Sequence, residues 1–190
     1  MAYYEGILTS TNHLINSAAI GAEIKEDKIV CEIYRPSDTA RNLDENKRFT
    51  FSLTADPTLF FKGSLTGHND PDYEEIGEEE LKKEEDFFYP VNSTKTYFCR
   101  VKDIDEKKVR DEYGGSELKK VTAPIIEEKG EKNNYIGRKN PLVDAMVHAT
   151  RIYVADERQK KKIREKVREI LKDNESELKK KILEFIEARC

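Results

Sequence analysis

Through the first half of the chain, apolar and polar residues alternate with a period of two, the spacing of strands with one buried face. Ile29, Cys31 and Ile33 alternate with polar neighbours, and Phe49, Phe51 and Leu53 share one face, so 28–34 and 48–54 are predicted strands. Segments 4–11 and 17–24 precede them, separated by turn chemistry at Asn12-His13, Asn16 and Glu26-Asp27. Gly21, inside the small apolar run 17–24, allows close backbone approach. Asp56-Pro57 stops the strand at 48–54, and Leu59-Phe60-Phe61 is a short apolar piece leading to Gly63. Two more strands are expected at 96–104 and within 118–127, with Gly114-Gly115 as the turn between them. Short strands interrupted by a single helix predict a small barrel rather than a doubly wound sheet.

From Asn140 the period becomes helical. Asn140 is a natural N-cap and Pro141 suits the first helical position, after which Val143, Met146 and Val147 form an apolar face. Asp144, His148 and Arg151 share another face of that helix. Two more helices start near Asp156 and at Ser176, an amphipathic hairpin whose apolar stripe must dock on the barrel or on another subunit. The division expected is a barrel over 1–139 and a helical region over 140–190, with an acidic insertion near 67–90. The excursion from Gly67 to Glu85, with a helical turn around 78–83, reads as solvated surface; its carboxylate spacing does not match an EF-hand loop.

Composition narrows the partners. A chain of 190 residues that is 37% hydrophobic can form one sizeable core plus an appendage. With 38% charged residues and a net charge of −4, the overall field favours neither nucleic acid nor an anionic membrane. Lys160-Lys161-Lys162 and Lys179-Lys180-Lys181 alternate with glutamates and read as solvated helix faces. The cysteines, Cys31, Cys99 and Cys190, offer neither a disulfide framework nor metal-ligand spacing, and the first two read as small buried hydrophobes. The start, MAYYEGILTSTN, lacks the pattern of a secretion signal, no run reaches membrane-spanning length, and the cytoplasm is the expected compartment.

The segment from Cys31 to Pro57 carries the most chemistry. It reads as strand, polar turn, a short helix over 39–46 and strand again, with Arg35, Ser37, Thr39, Arg41 and Asn42 gathered at the helix start. Free backbone N–H groups and the helix dipole favour an anion there, so these side chains can hold a phosphate. Ser37 or Thr39 can equally be a plain helix cap. Arg35, held extended by the following proline, either reaches such a phosphate or pairs with a surface carboxylate. The Asp144, His148 and Arg151 stripe is either a surface salt-bridge face or a source of a second cation.

The order YYEGILTSTN, NSAAIGAEI, SDTARNL, FTFSLTADPTLFF and, much later, NPLVDAMVHATRI resembles the DUF447 family, a branch of the FMN-binding split-barrel superfamily. Flavin reductases and pyridoxamine phosphate oxidases belong to that superfamily. The resemblance implies a mainly β chain with α: a six-stranded antiparallel FMN-binding split barrel with a C-terminal helical appendage, dimerising with FMN at the subunit interface. It implies phosphate contacts from Thr39 and Asn42, with Ser37, Arg41 and Arg35 beside them. Main-chain groups of the 16–22 strand, Ala19 and Ile20 among them, would reach the ring edge, and Thr54, Phe60 or Tyr34 would wall it. Arg151 would be a second cation for the phosphate or for a substrate carboxylate, with His148 beside it and Asp144 orienting them. The family pattern has Asn-Arg-Ala before the late helix and a glutamate within it; Asn140-Pro141-Leu142 and Asp144 depart from it, with Arg138 and Lys139 just upstream. The implied activity is flavin-dependent oxidoreduction with a small-molecule redox partner and no fixed catalytic side chain; the alternative is a non-catalytic FMN carrier or sensor. No metal is implied.

Overall fold

A computed structural model of the chain describes residues 2–65, 74–111 and 114–189. The first strands are β1 (Ala2–Thr11), β2 (Ile15–Lys25) and β3 (Lys28–Tyr34), followed by helix α1 (Asp38–Glu45) and strand β4 (Arg48–Thr54). Helix α2 (Pro57–Ser64) and the hairpin β5 (Leu81–Glu84) and β6 (Phe87–Pro90) come next. Strands β7 (Ser93–Arg100), β8 (Asp103–Asp111) and β9 (Gly114–Gly130) complete the sheet, and helices α3 (Pro141–Ala149), α4 (Glu157–Ile170) and α5 (Glu177–Glu187) complete the chain.

The main sheet runs β3-β2-β1-β4-β7-β9-β8, and β9 pairs back onto β3. That last pairing closes a barrel of six antiparallel strands, as expected. Strand β9 is long enough to serve three neighbours: β3 lies along one edge, while β7 and β8 follow each other along the other. Among the described residues, strand β8 pairs with β9 alone and stands outside the ring, where the glycine pair at 114 and 115 had been expected to join only two strands. The sequence DIDEKKVRD shows why β8 escapes a pattern search: both of its faces are largely exposed, so no apolar alternation marks it.

Two apolar cores lie on the two faces of β1. Leu8 points into the barrel with Ile29, Phe49, Phe51, Leu53 and Val121, closed at one end by Ala40 and Leu43 of α1. Cys31 and Cys99 sit in this core as free thiols, and burial pushes Cys31 up to about 12. Ile7, the next residue along β1, faces outward into a second cluster with Phe60 and Phe61 of α2, Met146 of α3, Ile163 and Val167 of α4, and Phe185 of α5. A strand buried on both faces reads as an apolar run rather than an alternation, as Gly6-Ile7-Leu8 does.

The late helices begin where their caps place them. Asn140 Oδ1 accepts from Leu142 N at 2.9 Å. Asp156 and Gln159 form a reciprocal capping box, and Ser176 Oγ accepts from Lys179 N at 3.2 Å. The apolar piece at 59–61 proves to be part of α2, with Asp56 as N-cap, accepting from Thr58 N at 2.8 Å, and Pro57 in the first turn. In the acidic excursion, a single 3-10 turn at Glu78–Glu80 stands at the expected helical turn, and β5 and β6 follow it. The earlier part of that excursion, at 66–73, lies outside the described residues. No helix among the described residues is long and apolar enough to cross a membrane.

Candidate functional site

Strands β2 and β3 pair only between Ala22–Lys25 and Lys28–Cys31. Beyond that short ladder β3 stays with β9 while β2 stays with β1, so the two strands part. From Ile15 to Gly21, β2 therefore has a strand on one edge only. Its other edge presents alternate backbone N–H and C=O groups without a strand partner among the described residues.

A cavity of about 580 Å³ occupies this split. Its floor is the stretch Asn16 to Gly21, where Ser17, Ala18, Ala19 and Gly21 keep the side chains small. Helices α2 and α3 wall it through Phe60, Gly63, Val143 and Met146, while Tyr34 and the start of α1 close one end. Gly63 fits α2 against the floor: a Cβ there would lie 2.9 Å from Ala19 N and 3.4 Å from Ala18 C. Gly21 makes room for Tyr3, whose Oη would lie 1.7 Å from an added Cβ.

The end beside α1 gathers two hydroxyls, a helix start and a guanidinium. Thr39 lies in the first turn of the helix, and its Oγ1 accepts from Asn16 Nδ2 at 2.7 Å, tying α1 to β2. Ser37 is the N-cap: its Oγ accepts from Ala40 N at 3.2 Å and donates to Tyr34 O at 2.7 Å. Arg151, half-buried on the 3-10 turn after α3, donates through Nη1 to the Tyr34 hydroxyl. Asp38 also lines this end, and its charge is offset by Arg41.

Of the sequence-derived candidates, the structure brings Ala19, Ile20, Tyr34, Ser37, Thr39, Phe60 and Arg151 together around the cavity. The others point elsewhere. Arg35 is exposed and pairs with Glu117 at 2.8 Å and Glu106 at 3.4 Å, on β9 and β8. Arg41 turns to Asp38. Asn42 is buried, and its amide donates to Ser10 O at 3.3 Å, Ser10 Oγ at 3.2 Å and Leu14 O at 3.2 Å. Thr54 is fully buried at the end of β4, donating to Asn92 O at 3.1 Å and accepting from Asp56 N at 3.0 Å. His148 lies 4.0 Å from Asp144, one turn away on α3.

The opposite end of the cavity holds a group that sequence reading passed over. Glu5, on the outward face of β1 beside Ile7, is 8% exposed and stands directly opposite Gly21. Its Oε1 is 3.2 Å from Arg138 Nε. Burial pushes its carboxyl above the usual carboxylate range; Arg138 opposes that shift and Asp144 adds to it. The available signal was a lone acid between Tyr3 and Ile7 in an otherwise uncharged strand.

A closed barrel split between two strands, with a ligand-sized cavity along the open edge, gives the chain the split-barrel fold. Within that fold the chain belongs to the family described as protein of unknown function (DUF447), whose N-terminal domain matches residues 4–132. An FMN-bound DUF447 protein from Methanosarcina mazei is 17% identical, covers 100% of this chain and 95% of its own, and superposes with a TM-score of 0.70. Nitrilotriacetate monooxygenase component B from Bacillus cereus is 14% identical over 72% of this chain and 73% of its own, with a TM-score of 0.54. Flavoredoxin from Methanosarcina acetivorans is 14% identical over 70% and 71%, with a TM-score of 0.50. No curated protein matches the chain.

Proposed function

We propose that the cavity binds FMN and that the protein is a flavin-dependent oxidoreductase acting on a small-molecule redox partner. The observation that carries this reading is the open edge of β2, flanked by small side chains and ending at an anion-receiving helix start. A flat heteroaromatic ring needs close access to backbone donors and acceptors, and Ala18, Ala19 and Gly21 leave that access clear. A phosphate at the other end would meet Thr39, the N–H groups of the first turn of α1, and Arg151. FMN, when bound, supplies the hydride and electron chemistry; the protein supplies binding, orientation and electrostatics. The FMN-bound relative in the same family supports the choice of ligand.

The mouth of the cavity exposes aromatic surface, with Tyr3 62% and Tyr153 56% exposed. We propose that a second copy of the chain covers it, giving a homodimer that sedimentation will register.

The deciding experiment is optical. Purified protein should carry a flavin absorbance band or quench the fluorescence of added FMN, and anaerobic dihydronicotinamide should bleach the bound flavin. A colourless protein that leaves FMN fluorescence unchanged defeats the reading; bound flavin that no donor reduces leaves a carrier. Arg151→Ala should weaken FMN roughly 10- to 100-fold, the worth of one charge-assisted phosphate contact.

A further inference from the structure

Glu5 is a nearly buried acid at the far end of a track whose other end receives an anion. The five residue steps of β2 from Asn16, tied to Thr39, to Gly21, opposite Glu5, span roughly 16 Å. A ligand whose phosphate sits at α1 and whose ring follows the open edge of β2 therefore ends beside Glu5. Gly21 contributes no side chain there, and the Tyr3 hydroxyl lies over it.

We propose that Glu5 is the proton-carrying residue of the cavity, protonated beside the oxidised ring and releasing that proton when the ring gains negative charge on reduction. This rests on the FMN reading above. The reductant supplies two electrons; the O–H bond of the Glu5 carboxyl breaks, a proton passes to the reduced ring, and solvent later returns one to Glu5. Arg138, with its Nε at 3.2 Å, stabilises the carboxylate left behind.

The charged and titratable surroundings of Glu5 pull its protonation in both directions. Asp144 on α3 and the burial of the site favour the protonated form, and Arg138 in the loop before α3 favours the carboxylate. Tyr3 lies two residues away on β1; Lys62 of α2, paired with Glu80, and Glu32 of β3 line the same cavity. A carboxyl whose pKa is raised by burial is better suited to give up a proton as an acid.

The test is the midpoint potential of bound FMN, followed at the flavin band during anaerobic dithionite titration between about pH 5 and 9. Wild-type protein should show a break in the pH dependence that Glu5→Gln loses, since glutamine keeps the shape but carries no exchangeable acid. Arg138→Gln, a change at a residue 57% exposed, should move the break to higher pH because the carboxylate loses its partner. Equal potentials and slopes in wild type and Glu5→Gln, with FMN bound to both, overturn the role of Glu5 alone. Failure of the wild type to take up FMN removes the flavin reading and this proposal with it.

Discussion

Asn42 shows how one polar side chain can be read two ways until its neighbours are known. Its amide reaches Ser10 and Leu14, at the end of β1 and in the turn before β2, and so pins α1 to the rim of the barrel. Removing it takes this donor from the buried Ser10 acceptors. Asn42→Ala should cost about 2 kcal/mol, a fall of roughly 4–8 °C in the thermal midpoint for a chain of this size. Circular dichroism will measure that fall, and an unchanged midpoint would remove the pinning role. An amide next to hydroxyls and arginines in a sequence carries the same letters whether it binds a phosphate or the backbone. Thr39 and Arg151 carried the same signal and both line the cavity, where Thr39 accepts from Asn16 and Arg151 donates to the Tyr34 hydroxyl. Arg35 and Arg41 carried an identical signal, yet Glu117, Glu106 and Asp38 answer it, and those pairings depend on where β8 and β9 run. Glu5 gave the weakest signal, since an acid inside a strand says nothing of what stands opposite.

Among the elements, α2 controls the site most directly because its approach to β2 sets the height of the cavity. That approach depends on Gly63. Alanine would gain about 1 kcal/mol in helix propensity. Its Cβ, however, would stand 2.9 Å from Ala19 N, a backbone atom held by the β1–β2 ladder. The clash should win, for a net loss of about 1–2 kcal/mol, and FMN affinity should fall as α2 shifts off the floor. Equilibrium unfolding together with FMN titration of Gly63→Ala checks both; a stabilised protein with unchanged affinity would show that the contact yields freely. Elements with strong caps or strict periods were readable in advance, as α3 with Asn140-Pro141 and β4 with Phe49, Phe51 and Leu53 show. Helix α2 was not, although Asp56-Pro57 is a cap and first-turn signature, because the same pair also reads as a strand stop. The β5–β6 hairpin and β8 are short or charged, and their ladders come from partners rather than from apolar alternation.

At the scale of the whole molecule, β1 joins two cores that would otherwise be separate. Leu8 belongs to the barrel interior and Ile7 to the cluster built by α2, α3, α4 and α5, and both residues are fully buried. Strain or loosening on one face of β1 must therefore be felt on the other, since both side chains hang from one backbone ladder. If the chain is a single cooperative unit, a cavity in either core should lower one shared transition. Phe185 in the helical cluster and Phe51 in the barrel are both 0% exposed, so Phe185→Ala and Phe51→Ala make a matched pair. Each should cost about 3–5 kcal/mol, and each should shift the midpoint by roughly 6–20 °C. Far-ultraviolet dichroism, dominated by the helices, and near-ultraviolet dichroism, dominated by the tyrosines of the sheet, should report the same transition in both variants. An early helical transition in Phe185→Ala, with the barrel melting at its original temperature, would instead show that α3 to α5 unfold on their own.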